Sequence, residues 1–166
     1  MSAPAIEQAL AALDLICGTD GSDRGARKLL TLRANANYVR WHLNAMGFNV
    51  LGDWDSPVMP VMLYLPGAIL RFSQLCLSQH VAVVVVGFPA TPLLTARARI
   101  CISAAHTKAD LDLSLRVLHE AGQRTGCLYR RWAPVVQPPL EEVLKSAGAP
   151  GLALLRGARA PWGAAC

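Results

Sequence analysis

The chain opens on two helical periodicities. Ile6, Leu10, Leu13 and Cys17 recur at three- and four-residue spacing. Pro4, just after Ser2, stands where a helix accepts its first residue, and Gly18-Thr19-Asp20-Gly21 breaks the run. A second stripe follows, made of Leu29, Leu32, Ala36, Val39, Leu43 and Met46. Ser22 is a residue type that caps such a helix, and Gly47 suits the left-handed residue that closes it. Arg27, Lys28, Arg33 and Arg40 fall mostly off the stripe.

From Phe48 the period changes. Residues 49–51 read as a short strand and residues 53–56 as a turn. Residues 58–64 read as a strand that Pro60 confines to an edge or a bulge. Pro66 restarts a helix with Ile69, Phe72 and Cys76 on one face, ended at Gln79-His80. Residues 81–86 are apolar without alternation, the pattern of a strand buried on both faces. Residues 97–103 alternate: Arg97, Arg99, Cys101 and Ser103 point one way, Ala98, Ile100 and Ile102 the other. Thr107 and Asp110 have capping-box spacing. Leu111, Leu115 and Leu118 form the buried stripe of the helix that follows, and Gly122 is its expected end.

The order helix-helix-strand-helix-strand-strand-helix specifies an α+β fold: a small, mostly antiparallel sheet with helices on one face, preceded by two long helices. The apolar side of residues 97–103 must meet those helices. The arginine side then faces a cleft or a partner, and nothing in the pattern covers it.

With 166 residues, 53% of them hydrophobic, one domain and a tail are expected. The tail begins near Trp132, where Pro134, Pro138, Pro139 and Pro150 punctuate a Gly/Ala/Arg-biased stretch. A short helix near residues 140–147 and otherwise no fixed structure are expected there. The net charge is +5. The basic residues of the tail are scattered and not interleaved with aromatics, which argues against a nucleic-acid surface. No apolar run approaches the ~18 residues of a membrane span, and the N-terminus lacks the pattern of a signal peptide. Five cysteines without a Cys-x-x-Cys pair disfavour a zinc site or a disulfide framework. Reduced thiols facing the cytosol are the expectation.

Three sets of residues carry the one specific signal. They are Asp55-Ser56-Pro57-Val58-Met59-Pro60-Val61-Met62-Leu63-Tyr64, then the valine run with Gly87-Phe88-Pro89-Ala90-Thr91-Pro92, then Arg97-Ala98-Arg99-Ile100-Cys101-Ile102-Ser103-Ala104-Ala105-His106-Thr107. In order and spacing, residues 1–131 resemble the C-terminal part of the pyridoxal-phosphate-dependent α-oxoamine synthases. Gly87 and Leu94 favour the serine palmitoyltransferase branch and its catalytic long-chain-base subunit.

The resemblance implies the small C-terminal domain of a fold-type I transferase. By it, residues 1–46 are the end of the large domain with its linking helices, residues 47–128 the small domain, and residues 129–166 a tail. It implies condensation of L-serine with palmitoyl-CoA to 3-oxosphinganine. A heterodimer with the other long-chain-base subunit is implied, at the cytosolic face of the endoplasmic reticulum membrane. Arg99 corresponds to the family arginine that grips the amino-acid carboxylate, a task suited to the two-pronged guanidinium. Pro89, Ala90 and Thr91 lie at the substrate entrance.

The cofactor lysine of the family lies in the large domain, so no residue of this chain is expected to be catalytic, to bind the cofactor or to hold a metal. Lys108 in Ala105-His106-Thr107-Lys108-Ala109 imitates the cofactor motif, yet no glycine turn follows it. A solvated lysine in a first helical turn is the plainer reading. His106 reads as a structural hydrogen-bonder, Cys101 as packing, and Arg97 as a cation for a carboxylate on a partner or on the missing domain. Two alternatives stay open: a non-catalytic interaction module, and an α-oxoamine synthase using another amino acid.

Overall fold

The computed structural model describes residues 2–19 and 21–129. The tail expectations, the short helix included, lie outside the described residues. Seven elements follow in the expected order: α1 (Ala3–Cys17), α2 (Arg24–Ala45), β1 (Val58–Tyr64), α3 (Pro66–Ser78), β2 (Val84–Val86), β3 (Ala96–Cys101) and α4 (Lys108–Thr125). Contacts divide into two units within α2, between Ala34 and Asn35.

In the N-terminal unit, α1 carries its proline in the first turn and ends on Gly18 at φ 73°. None of its residues is buried. The residue before α2 is Asp23 rather than the expected Ser22, and its carbonyl accepts from the Arg27 N–H at 2.9 Å. A Cβ on Gly25 would lie 1.9 Å from the Leu15 carbonyl oxygen, so the start of α2 meets the end of α1 at a distance only glycine permits.

In the C-terminal unit the sheet order is β1-β3-β2, antiparallel throughout. The central strand is therefore the arginine-bearing one. Its alternation is as read: Ala96, Ala98 and Ile100 are buried, Arg99 and Cys101 exposed. The buried side joins Met59, Val61 and Leu63 of β1, Phe72 and Cys76 of α3, and Leu111, Leu115 and Leu118 of α4 in one core. Phe48 and Phe72 meet edge to face at 6.3 Å inside it. The helices thus lie on one face of the sheet.

Pro60 sits on an edge strand, as its missing N–H requires. The Pro60 carbonyl accepts from Leu51 N–H at 2.8 Å, on the side away from β3. N–H and C=O of one strand residue point the same way, so the proline nitrogen also faces outward and costs the β1–β3 ladder nothing. The expected strand at residues 49–51 shrinks to one bridge, Val50 to Val61, because Pro60 offers it no donor.

Two further expectations fail. Residues 81–86 do not form a strand buried on both faces: β2 has three residues, lies at the sheet margin, and leaves Val84 51% exposed. Among the described residues helices cover only one face of the sheet, and Val84, the register partner of Arg99, lies on the other. Gly122 does not end α4 either. The helix runs on to Thr125 and closes on Gly126 at φ 70°. Gly122 is instead a packing residue, buried against the ring of Phe48.

Candidate functional site: the arginine face and the loop beside it

Arg99 occupies the middle of β3, opposite Pro60 on β1 and Val84 on β2. Flanked on both sides, its backbone is among the most constrained in the sheet, while its side chain stays exposed. Arg97 lies one same-face step away, about 7 Å along the strand, opposite Met62 and Val86. Among the described residues neither guanidinium has a hydrogen-bond or ion-pair partner. Two uncommitted cations on one rigid surface can each take a carboxylate or a phosphate.

The loop from Gly87 to Thr95 leaves β2 at Val86, whose partner is Arg97. The structure therefore sets the loop beside Arg97, with Arg99 one step farther. The loop is held from within. Thr91 N–H donates to the Gly87 carbonyl at 3.2 Å, and the Thr95 N–H and hydroxyl both donate to the Pro92 carbonyl at 3.0 Å. The Phe88–Pro89 peptide bond is cis. A Cβ on Gly87 would come within 2.7 Å of the Ile69 side chain, which seats the loop against the start of α3. Pro89 and Ala90 are exposed, whereas Thr91 is buried with its hydroxyl oxygen bonded to nothing among the described residues. Arg99 also borders a groove of about 350 Å³ between β2 and α4, along with His80, Val84, His106 and Asp110; the loop does not line it.

The far end of β3 is fixed by a polar turn. Asn35 Nδ2 donates to the carbonyls of Ser103 and His106 at 3.2 and 3.0 Å. His106 Nδ1 accepts from the Ser103 N–H at 3.2 Å. His106 is thereby engaged locally, in the turn that leads into the Thr107–Asp110 capping box. Accepting from the Thr107 hydroxyl holds the Asp110 carboxyl below its usual range.

Lys108 has no cofactor-like setting. Its ammonium donates to Asp112 at 2.7 Å and to the Tyr38 hydroxyl at 3.3 Å. The hydrogen bond to Asp112 raises its pKa, which stabilises the charged form over the neutral amine that a carbonyl would need. Lys28 lies exposed on α2, and Lys145 is outside the described residues. The described residues contain no cluster of residues able to hold a metal.

Arg40, unlike the other basic residues of α2 that fall off the apolar stripe, is buried. It is 2% exposed, and its Nη1 donates to the carbonyls of Leu51 and Gly52 at 3.0 Å each. Burial lowers its pKa, countered by Asp53 and Asp55. Its position four residues after Ala36 and three before Leu43 marks it as part of the buried face. Asn37, three residues earlier on α2, donates to the Asp55 carboxylate at 2.6 Å and accepts from the Asp55 N–H at 2.9 Å, pinning that turn.

No family model matches this chain. Known proteins do. It is 57% identical over 129 residues to long chain base biosynthesis protein 2d of rice, covering 78% of this chain and 26% of that protein. It is 54% identical over 122 residues to serine palmitoyltransferase 2 of Dictyostelium discoideum, covering 74% of this chain and 25% of that one. Among solved structures it resembles a serine palmitoyltransferase with pyridoxal phosphate as internal aldimine, at 32% identity and a TM-score of 0.53, over 56% of this chain and 24% of that one. The matched relatives thus share the α+β architecture and belong to a pyridoxal-phosphate-dependent group. The chain belongs to the serine palmitoyltransferase family and spans about a quarter of the length of those relatives.

Proposed function

We propose that this chain is the C-terminal part of a serine palmitoyltransferase catalytic subunit, which condenses L-serine with palmitoyl-CoA to 3-oxosphinganine. In this reading residues 1–46 close the large domain and residues 47–128 form the small one. Pyridoxal phosphate is bound mainly by the rest of the polypeptide, and no described residue takes part in its chemistry. The chain contributes orientation. Arg99 receives the serine carboxylate through two parallel N–H···O bonds, which fix the plane of that group. Pro89, Ala90 and Thr91 border the path by which substrate enters. The complete enzyme pairs with the other long-chain-base subunit at the cytosolic face of the endoplasmic reticulum.

The observation that carries this reading is Arg99 itself: an exposed guanidinium without a partner among the described residues, on the central strand, inside the segment matched at 57% identity. The experiment grafts the 166-residue chain into rice long chain base biosynthesis protein 2d in place of the matching segment. The joined protein should form 3-oxosphinganine from serine. Arg99→Ala should raise the serine KM by about 10- to 100-fold, the loss of a charge-assisted bidentate contact of about 1.5–3 kcal/mol, with a smaller effect on the palmitoyl-CoA KM. An unchanged serine KM refutes the assignment.

A further inference from the structure

The arginine face is dry at one end and wet at the other. Val58, Val84, Arg99 and Cys101 are exposed at the wet end. At the dry end Met62, directly opposite Arg97, is 5% exposed. Arg97 is half-buried there, and its Nε is shut from solvent without an acceptor among the described residues. A buried cationic N–H without an acceptor is costly to maintain, and folded proteins give such groups a partner.

The strand next to it has the complementary defect. Residues 81–86 are apolar along their whole length, yet among the described residues β2 is a free edge of the sheet. Edges that meet water usually carry a charge, a proline or a bulge, and Val84–Val86 has none of these. Val86 and Arg97 are register partners. Among the described residues, the half-buried Val86 end of an edge strand with no further strand beside it and an unanswered cation therefore share one corner of the sheet. The relatives supply the candidate occupant, since this chain accounts for only 25–26% of their length.

We propose that this corner is a docking surface for the remainder of the serine palmitoyltransferase polypeptide, and that Arg97 is its anchor, pairing with an Asp or Glu carboxylate of that remainder. The inference rests on the reading of the chain as part of such a polypeptide. It separates the two arginines by their surroundings. Arg97 sits between Met62 and Val86 and answers a fixed protein carboxylate. Arg99, at the wet end, stays free for a substrate that must come and go. A bidentate guanidinium–carboxylate pair also sets direction, so the same contact would align the incoming segment along the edge of β2.

The test compares amide hydrogen exchange in the isolated 166-residue chain and in the joined rice protein. Amides of Val84–Val86 and of Arg97 should exchange at least ~10-fold more slowly in the joined protein. Arg97→Met in the joined protein should return them most of the way to the isolated rates, with Arg97→Lys restoring part of the protection. The same Arg97→Met change in the isolated chain should leave exchange unchanged or slower. Arg99→Met should leave the exchange pattern of the joined protein intact while raising the serine KM. Equal exchange in the two native forms overturns the docking surface. Full protection in the joined Arg97→Met protein overturns the anchor. If protection appears while the joined protein makes no product from serine, the enzymatic reading fails and the interface stands.

Discussion

Replacing Gly122 by alanine puts two opposing effects on one atom. Gly122 lies inside α4, where Gly→Ala ordinarily stabilises by about 1 kcal/mol. Here the new Cβ would sit 2.5 and 2.8 Å from Phe48 Cζ and Cε1, and 2.9 Å from Leu128 Cδ2. Phe48 is fully buried and holds Phe72 edge-on, so its ring cannot swing away without disturbing a second aromatic. Overpacking of this kind costs about 1–3 kcal/mol, and three simultaneous clashes place it in the upper half of that range. The net expectation is a loss of about 1–2 kcal/mol. Gly67 is the internal control. It too is helical, in α3, but nothing stands within 4 Å of its Cβ position. Gly67→Ala should gain a few tenths to ~1 kcal/mol. Urea unfolding followed by circular dichroism reads both as shifts of the midpoint at constant slope. Phe48→Leu should recover part of the Gly122→Ala loss in a double-mutant cycle, because the clash is with the ring. The packing argument is wrong if Gly122→Ala stabilises as much as Gly67→Ala, or if the cycle shows no coupling.

Three further outcomes are expected. Arg40→Leu should destabilise by about 1–3 kcal/mol, because the Leu51 and Gly52 carbonyls lose their donor; a midpoint equal to the native one would contradict it. Asp110→Asn should lower the unfolding midpoint near neutral pH. The Asp110 pKa is depressed in the folded state, so its contribution is present above the unfolded carboxylate pKa and lost as pH falls through the folded one. The gap between variant and native protein should therefore close in acid; a gap independent of pH would count against the capping-box assignment. Among the described cysteines, Cys17 and Cys101 should react promptly with a disulfide reagent at pH 8, while Cys76 and Cys127 react only on unfolding. Burial pushes the Cys76 thiol up to about 11, so little thiolate is present even where reagent can reach it; rapid labelling of four thiols in the native state would disprove this.

Some of this structure was legible in local chemistry alone. The capping box at Thr107 and Asp110 needs two side chains and one turn of backbone, all within four residues. Pro60 announces its outward-facing nitrogen because proline has no N–H in any environment. The alternation through Arg97 and Arg99 follows from the two-residue period of a strand. These features depend on neighbours along the chain, and the sequence lists those neighbours.

The tertiary structure decided what depends on neighbours across space. Gly122 has the composition of a helix end; it becomes a packing residue because Phe48, 74 positions earlier, fills the place a side chain would take. Arg40 reads as a surface cation until the carbonyls of Leu51 and Gly52 are found folded over it. Residues 81–86 carry the pattern of a doubly covered strand, but burial is a property of two surfaces, and the described residues supply only one of them. Helix and strand periods are set by the backbone and can be read from one segment. Burial, and the need of a buried charge for a partner, belong to pairs of segments, which only the folded arrangement brings together.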